Sequence, residues 1–197
     1  MAARPKVRHW IYDPDVPDLI LLNGPPASGK STLARRYVDA HPLSLNLDVD
    51  VLRGLLGGWA DDPEASGLVA RSFALSMAEQ HLIAGHDVVV PQFLGRSRFI
   101  DQLGEVAAQA GARFVEVALW LDRPTAIAAF AGRTAAPTTQ SHVDTADLVE
   151  RSPRPDPLGS MYDELVAMVD ARPQTVRVDV ARGDIGLTFQ HLCEALT

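Results

Sequence analysis

Apolar and polar positions along this 197-residue chain fall into two registers. Consecutive or alternating aliphatic and β-branched residues occupy 19–22, 43–48, 87–91, 113–121 and 175–180, the spacing of strands. Between them the composition and spacing predict helices over 31–40, 64–84, 97–110, 123–132, 158–171 and 184–196. In the first, Leu33, Tyr37 and Val38 turn inward while Arg35 and Arg36 face outward; the apolar positions of the second are Leu68, Phe73, Leu75, Ala78 and Leu82. His41-Pro42 and Gly85-His86 end these two helices, and Pro124, just past Asp122, sits in the first turn of another. Five strands alternating with helices predict an α/β fold, a three-layer α/β/α sandwich on a mainly parallel sheet, in one domain spanning 1–197. Two segments depart from this rhythm. Over 1–18 a short apolar patch, Trp10-Ile11-Tyr12, lies between charged residues and Pro5, Pro14 and Pro17, as in an arm or edge strand. Over 134–156 large apolar residues are scarce and prolines recur, which predicts a mobile lid between helices.

The first apolar run leads into Asn23-Gly24-Pro25-Pro26-Ala27-Ser28-Gly29-Lys30-Ser31-Thr32. A loop bounded by Gly24 and Gly29, between a buried strand and a helix, is a P-loop: its backbone N–H groups wrap a polyphosphate. Gly24, Pro25, Pro26, Ala27, Ser28, Gly29, Lys30, Ser31 and Thr32 are therefore the candidate nucleotide-binding residues. Lys30 reaches the β- and γ-phosphates, Ser31 is a candidate Mg²⁺ ligand, and the following helix aims its positive end at the phosphates.

Composition sharpens this reading, because among eighteen Lys and Arg residues only Lys6 and Lys30 are lysine. A compact point charge on a flexible stem suits a phosphate that moves between donor and acceptor. The net charge of −7 weighs against a broad nucleic-acid or anionic-membrane surface. No run of about eighteen apolar residues occurs, and residues 1–10 lack the apolar core of a signal peptide. A lone Cys193 forms no intrachain disulfide, which fits a reducing, cytoplasmic setting.

After the second strand comes Asp48-Val49-Asp50-Val51-Leu52-Arg53. Two carboxylates and an arginine thus lie at the C-terminal edge of the sheet, where open α/β folds bind ligands. The alternative is a helix cap with a solvated i,i+3 ion pair. Gln92, just past the third strand, is a polar contact to water or substrate, or a simple loop amide.

Three motifs, Gly24 to Thr32, Asp48 to Arg53, and Leu121-Asp122-Arg123-Pro124 leading to Gly132-Arg133, give the chain a resemblance to the small P-loop kinases and phosphotransferases. That group includes adenylylsulfate kinase, gluconate kinase, chloramphenicol phosphotransferase and the zeta-toxin kinases. The likeness spans roughly 19–183. Asp48, Asp50 and Arg53 look like the D-x-D-x-[VL]-R arrangement of adenylylsulfate kinase, and Val49-Asp50 resembles the V-D of the chloramphenicol phosphotransferase acceptor site. The resemblance implies a sheet ordered 2-3-1-4-5, Mg-ATP as donor, Asp50 facing the acceptor hydroxyl, and Arg133 as the lid-base arginine that approaches the phosphates. The chain departs from the pattern in Gln92, where many P-loop enzymes carry an acidic residue, and in a lid whose only other arginines are Arg151 and Arg154.

The function expected is transfer of the ATP γ-phosphate to a hydroxyl of a small molecule. Lys30, Arg133 and Mg²⁺ neutralise charge, Asp50 works on the hydroxyl proton, Asp48 supports the metal, and Arg53, Gln92 and Arg96 grip the acceptor. Two alternatives remain open. One is a nucleotide-dependent switch acting through a partner, though Asp101-Gln102-Leu103-Gly104 falls inside a predicted helix and no N-K-x-D motif occurs. The other is a polynucleotide 5′-hydroxyl kinase, against which the acidic charge counts.

Overall fold

The computed structural model describes residues 16–138 and 140–197, so the expected N-terminal arm lies outside the described residues except for its last three positions. Five strands, β1 (Asp18–Asn23), β2 (Leu45–Asn46), β3 (Val88–Pro91), β4 (Arg113–Trp120) and β5 (Val176–Asp179), form one sheet. Their order is β2-β3-β1-β4-β5, and every neighbouring pair is parallel. All six residues of β1, at the centre, are buried. That is why its sequence is continuously apolar from Leu19 to Leu22 instead of alternating.

Helices cover both faces of the sheet: α1 (Lys30–Ala40), α2 (Val49–Gly54), α3 (Pro63–Ile83), α4 (Ser97–Ala110), α5 (Arg123–Ala135), α6 (Gln140–Glu150), α7 (Pro157–Asp170) and α8 (Ile185–Leu196). Period-two alternation along β1 sorts the core into two layers. Leu19 and Leu21 face α3, α4 and α7 through Ala74, Ile100, Leu103, Leu165 and Val169. Ile20 and Leu22 face α1 and α8 through Leu33, Tyr37 and Leu192. The architecture is the three-layer α/β/α P-loop fold.

Helix starts follow one local rule. Asp48, Asp62, Asp122, Asp156 and Asp184 each cap a helix by accepting a backbone N–H from two or three residues on. Proline follows within two positions at Asp62, Asp122 and Asp156, where its missing N–H costs nothing.

One element differs from expectation. The buried face of α3 is Ser66, Ala70, Ala74, Ala78 and Leu82, whereas Leu68 and Phe73 are 52% and 47% exposed. A row of small side chains at four-residue spacing lets the helix backbone lie close to the core, and the larger apolar residues are turned out. The segment expected as a lid contains α6, an 11-residue helix.

At the N-terminal edge of the sheet, buried Asp18 accepts from Arg113 at 2.6 and 2.7 Å, and Arg113 also donates to the Leu196 carbonyl. Buried Glu116 accepts from Arg172 Nε at 2.9 Å and from the Thr175 hydroxyl at 2.5 Å. Charged pairs thus tie β1, β4, α8 and the α7–β5 turn together, with the donors and acceptors directed at one another.

Candidate active site

Because the strands are parallel, the chain leaves β1, β2 and β3 on the same edge, at Gly24, at Leu47-Asp48 and at Gln92. Asn23 joins two of these exits. Its buried side-chain oxygen accepts from the Gly24 and Leu94 amides at 2.8 and 2.9 Å, and its amide donates to the Leu94 carbonyl at 2.9 Å. Sequence reasoning passed over Asn23, since a polar residue ending a strand is unremarkable until its partner 71 positions away is known.

The loop from Gly24 to Gly29 is held by unusual backbone angles. Gly24 has φ 153°, and a Cβ there would approach the Ser28 hydroxyl to 2.9 Å and the Leu119 carbonyl to 3.0 Å. Gly29 caps α1 with φ 94°, in the left-handed region. Ala27 shares that region at φ 65° without being glycine. Ser28 is buried with its hydroxyl unpartnered. The Lys30 ammonium donates to the Gly24 and Pro25 carbonyls at 3.0 and 2.9 Å. Burial, reinforced by the Arg133 guanidinium and opposed by Asp50 and Asp48, lowers the Lys30 pKa to about 7.

Asp48 caps α2 through one carboxylate oxygen, at 3.0 Å from the Asp50 amide, and its other oxygen lies 3.5 Å from the Ser31 hydroxyl. The two candidate metal ligands therefore face each other from different elements. Burial, then the neighbouring Asp50 carboxylate, raises the Asp48 pKa above the usual range. Asp50 is paired with Arg53 at 3.1 Å, and Arg53 stacks over Trp59 at 4.8 Å.

A cleft of about 750 Å³ runs along this edge. Of the predicted site residues it brings together Pro26, Ala27, Gly29, Lys30, Ser31, Thr32, Asp48, Asp50, Arg53, Gln92 and Arg133. Gly24, Pro25 and Ser28 shape the loop from behind, and Arg96, at the exposed start of α4, does not line the cleft. Arg133 enters from α5, resting on Phe130 at 5.2 Å, with Nε and Nη2 buried and unpartnered; burial lowers its pKa while Asp50 raises it. The Gln92 side-chain oxygen is likewise buried without a partner.

The opposite wall comes from α6 and its flanks, through His142, Thr145, Leu148, Val149 and Arg154. Arg154 is paired with Glu164 of α7 at 2.7 Å. Arg151, the other arginine of that segment, is exposed and outside the cleft. Arg71 of α3 also lines the cleft, and nothing in the sequence pattern singled it out.

The donor set fits magnesium. A hydroxyl and a carboxylate are hard oxygen ligands of the kind Mg²⁺ takes beside water and phosphate. Among the described residues no group of three or more His, Cys, Asp or Glu converges as a dedicated metal cage.

A sequence profile described as AAA domain matches residues 19–151, the stretch that carries the P-loop, Asp48, Asp50, Gln92 and Arg133. The chain belongs to this AAA domain family. No curated protein matches it in sequence. Among solved structures, the gluconokinase of Sinorhizobium meliloti 1021 is 20% identical over 92% of each chain, with a TM-score of 0.54. The APS kinase CysC of Mycobacterium tuberculosis, in complex with AMPPNP and APS, is 18% identical; the match covers 92% of this chain and 98% of that one, with a TM-score of 0.57. The Pnkp1/Rnl/Hen1 RNA repair complex contains a chain 15% identical over 87% of this one and 51% of its own length, with a TM-score of 0.63. What this AAA domain shares with them at such identities is the fold. It is the small P-loop kinase fold that the three motifs resemble. Among the described residues no helix of this AAA domain is long and apolar enough to cross a membrane.

Proposed function

We propose that the protein is an ATP-dependent phosphotransferase that moves the γ-phosphate to a hydroxyl of a small molecule. The observation that carries this reading is the convergence, in one cleft, of Lys30 and Arg133 with the paired carboxylates Asp48 and Asp50. Phosphoryl transfer asks a protein chiefly for position and charge neutralisation. The loop amides and Lys30 hold the phosphates, and the unpartnered Arg133 nitrogens meet the equatorial oxygens. Ser31 and Asp48 would hold Mg²⁺, which supplies charge neutralisation at the β- and γ-oxygens. Asp50, steadied by Arg53, orients the acceptor hydroxyl and takes its proton as the oxygen–phosphorus bond forms and the bond to the ADP oxygen breaks. The neighbours with gluconokinase and APS kinase in their titles support a kinase reading through fold.

The test starts from an acceptor found by screening ATP consumption against sugars, antibiotics, nucleosides, nucleotide sugars and a 5′-hydroxyl oligonucleotide. With that acceptor, Asp50→Asn is expected to keep nucleotide affinity nearly intact and to slow transfer by roughly 10² to 10⁴, the range of a positioned general base. Asp48→Asn is expected to raise the Mg²⁺ concentration needed for half-maximal turnover. Parental turnover in Asp50→Asn at saturating Mg²⁺ overturns the assignment of Asp50.

A further inference from the structure

The charged groups of the cleft can be paired off one by one. Arg53 takes Asp50 and Arg154 takes Glu164. In the proposed reaction Lys30 and Arg133 serve the nucleotide phosphates, and Asp48 the metal. Arg71 is left. It projects into the same cleft from α3, the helix packed against α2, which carries Asp50 and Arg53. Among the described residues its guanidinium lies 5.7 Å over the Phe99 ring and no carboxylate is within ion-pairing distance. Arg53 beside it keeps Nε buried and without a partner. Burial lowers the pKa of Arg71; Asp50 acts to raise it, and the guanidinium groups of Arg53 and Arg96 add to the lowering. Arg53 and Arg71 thus line the cleft beside one acceptor-side carboxylate, already paired with Arg53, which leaves cationic donors that an entering anion would satisfy.

We infer that the acceptor is anionic, a hydroxyl compound bearing a carboxylate, phosphate or sulfate group that Arg71 grips together with Arg53. This rests on the phosphotransferase reading and narrows its substrate class. A guanidinium presents two parallel N–H donors that match any of these oxyanions. Arg53 keeps Nη2 on Asp50 and has Nε free for the anion, so the anionic end meets Arg71 and Arg53 Nε while the hydroxyl end of the molecule is the part left for the carboxylate.

The experiment uses the whole chain with Mg²⁺ and AMPPNP at saturation, so that the phosphate loop is filled, and sodium sulfate as the probe at constant ionic strength. Titration calorimetry is expected to show sulfate binding at millimolar or tighter concentration. Arg71→Gln weakens it tenfold or more, Arg71→Lys weakens it less, and Arg35→Gln, an exposed arginine on α1, leaves it unchanged. In the acceptor screen, anionic members of matched pairs (gluconate and glucose, glucose 6-phosphate and glucose) are expected to show at least tenfold higher kcat/KM, with the preference lost through KM in Arg71→Gln. Absence of sulfate binding, equal binding by Arg71→Gln, or a preference for neutral acceptors overturns the inference while AMPPNP binding leaves the phosphotransferase reading intact. Failure of AMPPNP to bind overturns both.

Discussion

At Lys30 burial and charge oppose each other. The free ammonium is held by two loop carbonyls, and its pKa falls to about 7 from 10.5. Between those values the unfolded chain keeps the proton that the native state gives up, so the native state gains stability as pH rises through that window and carries the full burial cost below it. A bound triphosphate reverses the balance by favouring the charged form. Nucleotide binding at pH 8 is therefore expected to take up close to one proton. Calorimetry in buffers of different ionisation heat measures this, and an enthalpy independent of buffer counts against it. Lys30→Ala should fold and lose on the order of 10²-fold or more in transfer, since a charge already aimed at the phosphate is gone; parental transfer by that variant would remove Lys30 from the site. Asn23 acts through backbone alone. Asn23→Ala strands the buried Gly24 and Leu94 amides and should cost roughly 2–4 kcal/mol in urea denaturation, from two or more buried groups left unpaired.

The elements were legible where local chemistry decides them. The continuous run of β1, the alternation at β2 and β5, the loop-helix junction at Gly29 and the aspartate caps all follow from short-range rules, and the strand order came with the resemblance. One element was misjudged, because its side chains answer to neighbours distant in sequence. The sequence pattern put Leu68 and Phe73 beside Ala78 and Leu82 in the apolar set of α3; Ala78 and Leu82 are buried, but Ala70 and Ala74 take the interior while Leu68 and Phe73 face out. Sparse apolar residues over 134–156 pointed to a lid, and the segment holds α6, which contributes residues to the cleft. Lys30, Ser31, Asp48 and Asp50 were readable from motif spacing. Arg71 was not, because it meets Arg53 only through the packing of α3 on α2. If α6 closes over bound ligands to exclude competing water, amide exchange across 140–150 should slow at least tenfold with AMPPNP and acceptor together. Unchanged exchange at saturation would leave α6 a fixed wall.

Across the whole molecule the two edges of the sheet divide the labour. Ion pairs at the N-terminal edge and midway along β4 hold strands and helices together, whereas cleft arginines at the C-terminal edge keep unpartnered nitrogens. Glu116→Ala leaves Arg172 partly buried without its main partner and should cost about 3–5 kcal/mol, the usual penalty for breaking a buried pair. AMPPNP affinity of the folded fraction should hold within a factor of about two, and a large loss of affinity would show the edges to be coupled. The methyl row of α3 packs into the core layer against β1 and α4. Ala70, Ala74 and Ala78 work as a shim whose thickness is one carbon, and Arg71 rides on the same helix next to the first of them. A valine at position 74 would lift the helix by a fraction of an ångström, and the acceptor end of the cleft would widen with it. Substrate range in this protein can therefore drift through residues that no substrate ever meets.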